Sequence, residues 1–214
     1  MTSTWEQAKA LDLADPLRDA RGRFRLPQGM IYLDGNSLGA LPKATPERLA
    51  QVVAEQWGED LIASWNRHGW IDAPVRVAAK LAPLLGAKPN ELLVADSTSI
   101  CLFKLLAAAV TARPGRSTIL SQQGNFPTDL YVAQGLAELI AGLKLVTVPA
   151  DEVAAAIDRD TAVVLLTHVD YRSAAIHDLA AINAAAHAKG ALTLWDLSHS
   201  AGAIALDLES DGCD

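Results

Sequence analysis

What this sequence lacks already narrows what it can be. No apolar run approaches the ~20 residues that a helix needs to cross a bilayer, and the most apolar stretches, 105–112 and 162–166, are far shorter. A membrane partner is therefore not expected. Only two cysteines are present, Cys101 and Cys213, far apart and outside any CxxC pair. That usage suits a reducing compartment, with each thiol packed or idle. There is no basic stripe and no basic patch interleaved with aromatics. With 18 basic against 25 acidic residues and a net charge of -7, nucleic acid is a poor partner. The first residues, MTSTWE, contain no basic region followed by an apolar one. No secretory signal is read there, and the expected location is the cytosol. Internal repeats are also missing, and no GxGxxG follows the first clear strand, which argues against a dinucleotide-binding dehydrogenase.

What is present is enough apolar material for a substantial core. Half of the 214 residues are hydrophobic and only 14 are glycine and 10 proline, so a disordered or collagen-like chain is excluded. At roughly 150 residues per domain the length allows one domain or two. The pattern divides at about residue 90. Residues 1–90 read as mostly helical around one unusual loop, with helices at 5–14, 45–56, 59–66 and 74–85. A short strand is expected at 30–33, broken at once by Asp34-Gly35-Asn36-Ser37-Leu38-Gly39, where Gly and Asn permit positive φ. Residues 91–214 alternate instead. Apolar strands are expected at 92–95, 118–121, 144–148, 162–169 and 191–195, with helices at 98–111, 127–140, 151–157 and 177–188 between them. Nearly all-apolar strands separated by helices require an α/β fold, a mostly parallel sheet flanked by helices on both faces. Such a sheet gathers the C-terminal ends of its strands on one edge, where ligands bind.

Four polar clusters fall on that edge. Asp96-Ser97-Thr98-Ser99 opens directly into a helix, offering free N–H groups and hydroxyls that suit a phosphate; simple N-capping by Ser97 or Thr98 is the plainer reading. Gly124-Asn125-Phe126-Pro127-Thr128-Asp129 places Pro127 at a first helical position and Asp129 in the first turn. Phe126 is either a core staple or a ring that lies against a flat ligand. Thr167 ends a buried strand, its hydroxyl free for a ligand or satisfied by nearby backbone. His168, Asp170 and His177 do not form any recognised metal-binding constellation, so no metal is expected. Finally Asp196 stands one step past a buried strand, a costly place for an acid without a cation or several donors. A carboxylate there can keep a pyridine nitrogen protonated and make the ring an electron sink. The alternative is a structural Asp196–His199 pair that orients a turn.

Together the DGNSLG string, Ser97-Thr98, Asn125–Asp129, Thr167-His168-Val169 and Trp195-Asp196-Leu197-Ser198-His199-Ser200-Ala201-Gly202 resemble kynureninase, from about Leu11 to the last residue. The resemblance implies the large domain of a fold-type I enzyme that uses pyridoxal 5'-phosphate. It implies hydrolysis of L-kynurenine or 3-hydroxykynurenine in tryptophan breakdown, by a homodimer. Carried over by position, Ser97 and Thr98 hold the cofactor phosphate, and Phe126 stacks on its ring. Pro127, Thr128 and Asp129 line the pocket with Phe126, and Thr167 touches the cofactor. Asp196 pairs with the ring nitrogen, supported by His199. Asn36, Ser37 and Trp65 are substrate-side candidates.

One departure bears on activity. In relatives the Schiff-base lysine follows the Asp-x-x-His segment in a Tyr-Lys-Tyr context. None of Lys9, Lys43, Lys80, Lys88, Lys104, Lys144 or Lys189 matches it. The chain is therefore expected to be a truncated, N-terminal part of such an enzyme, without a catalytic lysine and inactive alone. Two other readings stay open: a cysteine desulfurase-like enzyme of the same fold, and a non-catalytic module that binds a partner.

Overall fold

Reciprocal capping starts the first helix. The Thr4 hydroxyl accepts from the Gln7 N–H at 3.3 Å, and the Gln7 side chain accepts from the Thr4 N–H at 2.8 Å. This box opens the helix Trp5–Ala14. The computed structural model describes residues 4–214, and the chain separates into a unit ending at Ile71 and a second unit, Asp72–Asp214.

In the first unit, Phe24–Arg25 (β1) pairs antiparallel with Leu41–Pro42 (β2). The strand expected at 30–33 does not form; Ile31 and Leu33 are more than four-fifths exposed. An apolar run becomes a strand only where a neighbour takes its backbone groups, and here the short ladder uses residues on either side instead. The Asp34–Gly39 segment is a loop, as expected, but its glycines and Asn36 do not use the positive φ they permit. Its Asp34 carboxylate accepts from the Ser37 hydroxyl at 2.8 Å, and Tyr32 donates its hydroxyl to the Leu38 carbonyl at 2.6 Å. The helices expected at 45–56 and 59–66 are broken into short pieces, with a wide-turn stretch at Val52–Trp57 and a positive φ at Leu61.

The second unit opens with the helix Ala73–Leu85, closed by Gly86 in the left-handed conformation. A Cβ on Gly86 would lie 2.5 Å from the Asp207 Cα, so only glycine fits here. The run 92–95, also expected to be a strand, is irregular, and Leu93 is largely exposed. The sheet that does form is fully parallel and has four strands: Thr118–Gln122 (β3), Lys144–Val148 (β4), Thr161–Thr167 (β5) and Leu192–Asp196 (β6). Their order is β4-β3-β5-β6.

Alternation along the strands separates two apolar layers. Ile119, Val163 and Leu165 pack with Leu102, Leu106 and Val110 of the Thr98–Thr111 helix and Ala133 and Leu136 of the Pro127–Leu139 helix. Leu120, Val164 and Leu166 face the other way, against Val153 and against Ile182 and Ala186 of the Leu179–Ala188 helix. The α/β fold expected from the sequence is the fold observed. The last residues lie along β6: Asp214 Oδ2 accepts from the Thr193 N–H at 2.9 Å and meets His187 Nε2 at 2.8 Å. Among the described residues no helix is long and apolar enough to cross a membrane.

Leu165 is fully buried in a central strand. Leu165→Ala is expected to lower the unfolding free energy by about 3 kcal/mol through lost burial and a cavity. Urea titration should show a lower midpoint with an unchanged slope; a loss under about 1 kcal/mol would show that this layer collapses around the gap.

Candidate functional site

Parallel strands bring Gln122, Val148, Thr167 and Asp196 to one edge of the sheet. The chain leaves β3 for the helix Pro127–Leu139 on one face and leaves β5 for Leu179–Ala188 on the other. Between two strands whose connections diverge, a crevice opens.

Register decides what faces this crevice. Thr167 and Asp196 are direct partners across β5 and β6. By alternation with Leu165 and Leu194 they face the layer of the Pro127–Leu139 helix. Asp129, in that helix's first turn, is buried and accepts from the Thr167 hydroxyl at 3.3 Å. The Thr167 N–H donates to Asn125 Oδ1 at 2.9 Å. The hydroxyl is thus held by a carboxyl side chain rather than by backbone. Asp196, also buried, accepts from the Ser198 N–H at 2.8 Å.

Burial first, and then the neighbouring Asp196 charge, push the Asp129 carboxyl up to about 7, against a smaller opposing effect of the Thr167 hydroxyl. A carboxyl so raised is partly protonated near neutral pH, which eases its repulsion with Asp196.

Around it stand three rings. Phe126, at the N-cap of the helix, lies 5.7 Å from His199 and 5.3 Å from Tyr171, centroid to centroid. His199 Nδ1 and Asn125 Nδ2 are buried without a hydrogen-bond partner. Such atoms take their partner from outside the chain, from water or a ligand; His168 Nδ1 is in the same condition. Pro127 and Thr128 are exposed on the helix's first turn. Ser97 occupies the N-cap of the Thr98–Thr111 helix but makes no capping bond with its side chain, and both Ser97 and Thr98 are exposed. The plainer reading of these hydroxyls as caps is therefore not what the structure shows. The buried carboxyls and the Phe126 ring face suit a planar nitrogen heterocycle, and an uncapped helix start such as that at Ser97 suits a phosphate.

The structure brings Phe126, Asp129, Thr167, Asp196 and His199 together. Asn36, Ser37 and Trp65 belong to the first unit and are exposed there. Sequence reading passed over Asn125 and Tyr171 as site residues. Their one signal was position, each within a polar cluster just past a strand end. Of the three residues weighed from sequence as metal ligands, His177 bonds Gln122 Oε1 through Nε2 at 2.5 Å, and Asp170 serves its own loop. Burial pushes both His168 and His177 below the usual imidazole range.

A carboxyl raised on folding binds its proton more tightly in the native chain. Its contribution to stability is full below the unfolded value near 4 and disappears as pH rises through about 7. Asp129→Asn, which keeps an acceptor for Thr167, should therefore gain stability relative to the parent between pH 5 and pH 8. Thermal melts at both pH values would show it, and a pH-independent difference would contradict the raised Asp129 carboxyl.

Residues 32–214 match the family model described as aminotransferase class-V. Kynureninase from Deinococcus radiodurans is 55% identical over 213 residues, covering 97% of this chain and 52% of its own. Kynureninase from Pseudomonas fluorescens is 49% identical over 219 residues, covering 99% and 52%. The chain thus spans about half the length of the curated relatives it matches. Among solved structures, a C-DES mutant with glycine covalently linked to its PLP cofactor superposes with a TM-score of 0.71 at 20% identity, over 91% of this chain and 53% of that one. An apo cysteine desulfurase from Thermococcus onnurineus NA1 gives 0.71 at 22% identity, over 92% and 51%. Those two likenesses establish the fold. With the matched model covering most of its length, the chain belongs to the aminotransferase class-V family.

Proposed function

We propose that these residues form the cofactor-binding part of a kynureninase. The complete enzyme would bind pyridoxal 5'-phosphate and hydrolyse L-kynurenine or 3-hydroxykynurenine to anthranilate or 3-hydroxyanthranilate and L-alanine. The observation that carries the reading is the buried Asp129–Asp196 pair, set by strand register beside a half-buried Phe126. Identity near 50% to kynureninases along almost the whole chain supports it.

Pyridoxal phosphate, when bound, supplies an electron sink through its protonated ring. The residues here do the rest. Asp196 would hold the ring nitrogen's proton, and Asp129 stands beside it with a carboxyl raised by burial and by the Asp196 charge. Phe126 presents its face to the ring, and Thr167 fixes Asp129. Ser97, Thr98 and the amides of the first helical turn receive the phosphate. His199 Nδ1 and Asn125 Nδ2 are the donors or acceptors left for the bound molecule.

The cysteine desulfurase reading needs a reactive thiolate. Cys213 is pushed the wrong way, its thiol raised by burial, and Cys101 sits within a helix with its sulfur 3.7 Å from the Ala95 carbonyl. The proposal extends to a cytosolic homodimer, and to a Schiff-base lysine outside the seven in this chain. Lys88, Lys104 and Lys144 are instead engaged in exposed ion pairs with Glu209, Asp96 and Asp160.

Two outcomes follow. In the complete enzyme, Asp196→Ala should cut kcat for kynurenine at least ~100-fold, as removal of a preorganised charge partner does. The release of fluorescent anthranilate measures this, and near-normal turnover would reject the assignment. The 214-residue chain alone should bind pyridoxal 5'-phosphate reversibly and form no anthranilate. A stable, borohydride-fixed adduct at one lysine would overturn the second part.

A further inference from the structure

The loop after β5 is more ordered than a connection needs to be. Val169 and Ile176 bridge antiparallel across it. Asp170 Oδ1 accepts from the Arg172 N–H at 3.1 Å, the Ser173 N–H at 2.7 Å and the Ser173 hydroxyl at 2.8 Å. Ala174 is held at a φ of 58°, in the left-handed region that non-glycine residues avoid. These bonds aim two side chains, Tyr171 and Arg172, across the crevice towards the segment that follows β3.

The Tyr171 ring meets Phe126 at 5.3 Å and an interplanar angle of 76°, and lies over His199 at 6.5 Å and 29°. The Arg172 guanidinium covers the Tyr171 ring at 5.4 Å, while its Nη2 donates to the Gly124 carbonyl at 3.2 Å. Gly124 has a φ of 73°, and a Cβ there would stand 2.2 Å from Arg172 Nη2. Glycine at this position is what admits the guanidinium.

We propose that Arg172 and Tyr171 are positioning residues, a latch between the loops after β5 and β3 that fixes Phe126 in the orientation in which it receives a flat ligand ring. The inference rests on the reading that Phe126 stacks on the cofactor, and it adds residues for which that reading gave no role. A phenylalanine at a helix N-cap has freedom about its side-chain torsions. Two neighbouring rings and a cation behind them remove that freedom before the ligand arrives, so the ligand does not bear the ordering cost. Arg172 acts on Phe126 through Tyr171 and through the Gly124 carbonyl, and needs no contact with the ligand.

The test uses the 214-residue chain and pyridoxamine 5'-phosphate, which has no aldehyde to react with surface lysines. Arg172→Met should speed hydrogen exchange of the amides of residues 124–126 about fivefold in the free chain, as expected for a loosened local segment. It should weaken pyridoxamine 5'-phosphate binding about tenfold, the loss of one modest contact, with the thermal midpoint within about 2 °C of the parent. Arg172→Lys keeps a cation and one donor and should recover most of the affinity. Tyr171→Leu should weaken binding similarly, and Tyr171→Phe should match the parent. Unchanged exchange in Arg172→Met, or tighter binding in either loss variant, would overturn the latch. Tighter binding would mean that Tyr171 occupies the ligand's place. If the parent itself binds no pyridoxamine 5'-phosphate, the expectation that this chain alone binds the cofactor fails, and the exchange measurement still decides whether the latch exists.

Discussion

The site depends on a cross-strand pairing. Thr167 and Asp196 are opposite one another in adjacent parallel strands, and both project to the layer that carries Asp129. A slip of one residue in that register would turn one of the two to the other face, among Val153, Ile182 and Ala186. The apolar residues before them prevent the slip. Leu165 and Leu194 are packed into one layer and Leu166 and Trp195 into the other. The core thus fixes register, and register keeps Asp196 on the side of the sheet that carries Asp129, whose carboxyl feels its charge. The raised affinity of Asp129 for its proton is the electrostatic record of that constraint.

Much of the second unit was legible in the sequence because its signals are local. The helices 98–111 and 127–139 begin at a serine N-cap and a proline, and β3, β4 and β6 are short apolar runs bounded by polar residues. The runs 30–33 and 92–95 look the same on paper and are not strands. A strand is a statement about its partner as well as itself, and composition does not record whether a partner is available. The two-residue ladder of Phe24–Arg25 with Leu41–Pro42 has too little pattern to be seen at all.

The site divides along the same line. Asp196 and Thr167 were visible because a polar residue at the end of a buried strand has few structural reasons to be there. Asp129 read equally well as a first-turn acid favoured by the helix dipole; only the fold shows it buried against a second carboxyl. Asn125 and Tyr171 were not identified because each reaches the crevice through a loop whose path is set by distant bonds. Among these are the Arg172 contact to Gly124 and the Asp170 turn.

Among the described residues β6 pairs with a strand on one side only, and the Asp214 side chain lies on the other, taking the N–H of Thr193 and reaching His187. A carboxylate seated on an open edge also discourages another chain from adding a strand to it. Replacing Asp214 would therefore act on the crevice from a distance: the Thr193 N–H would lose its acceptor, three residues before Asp196 in the same strand.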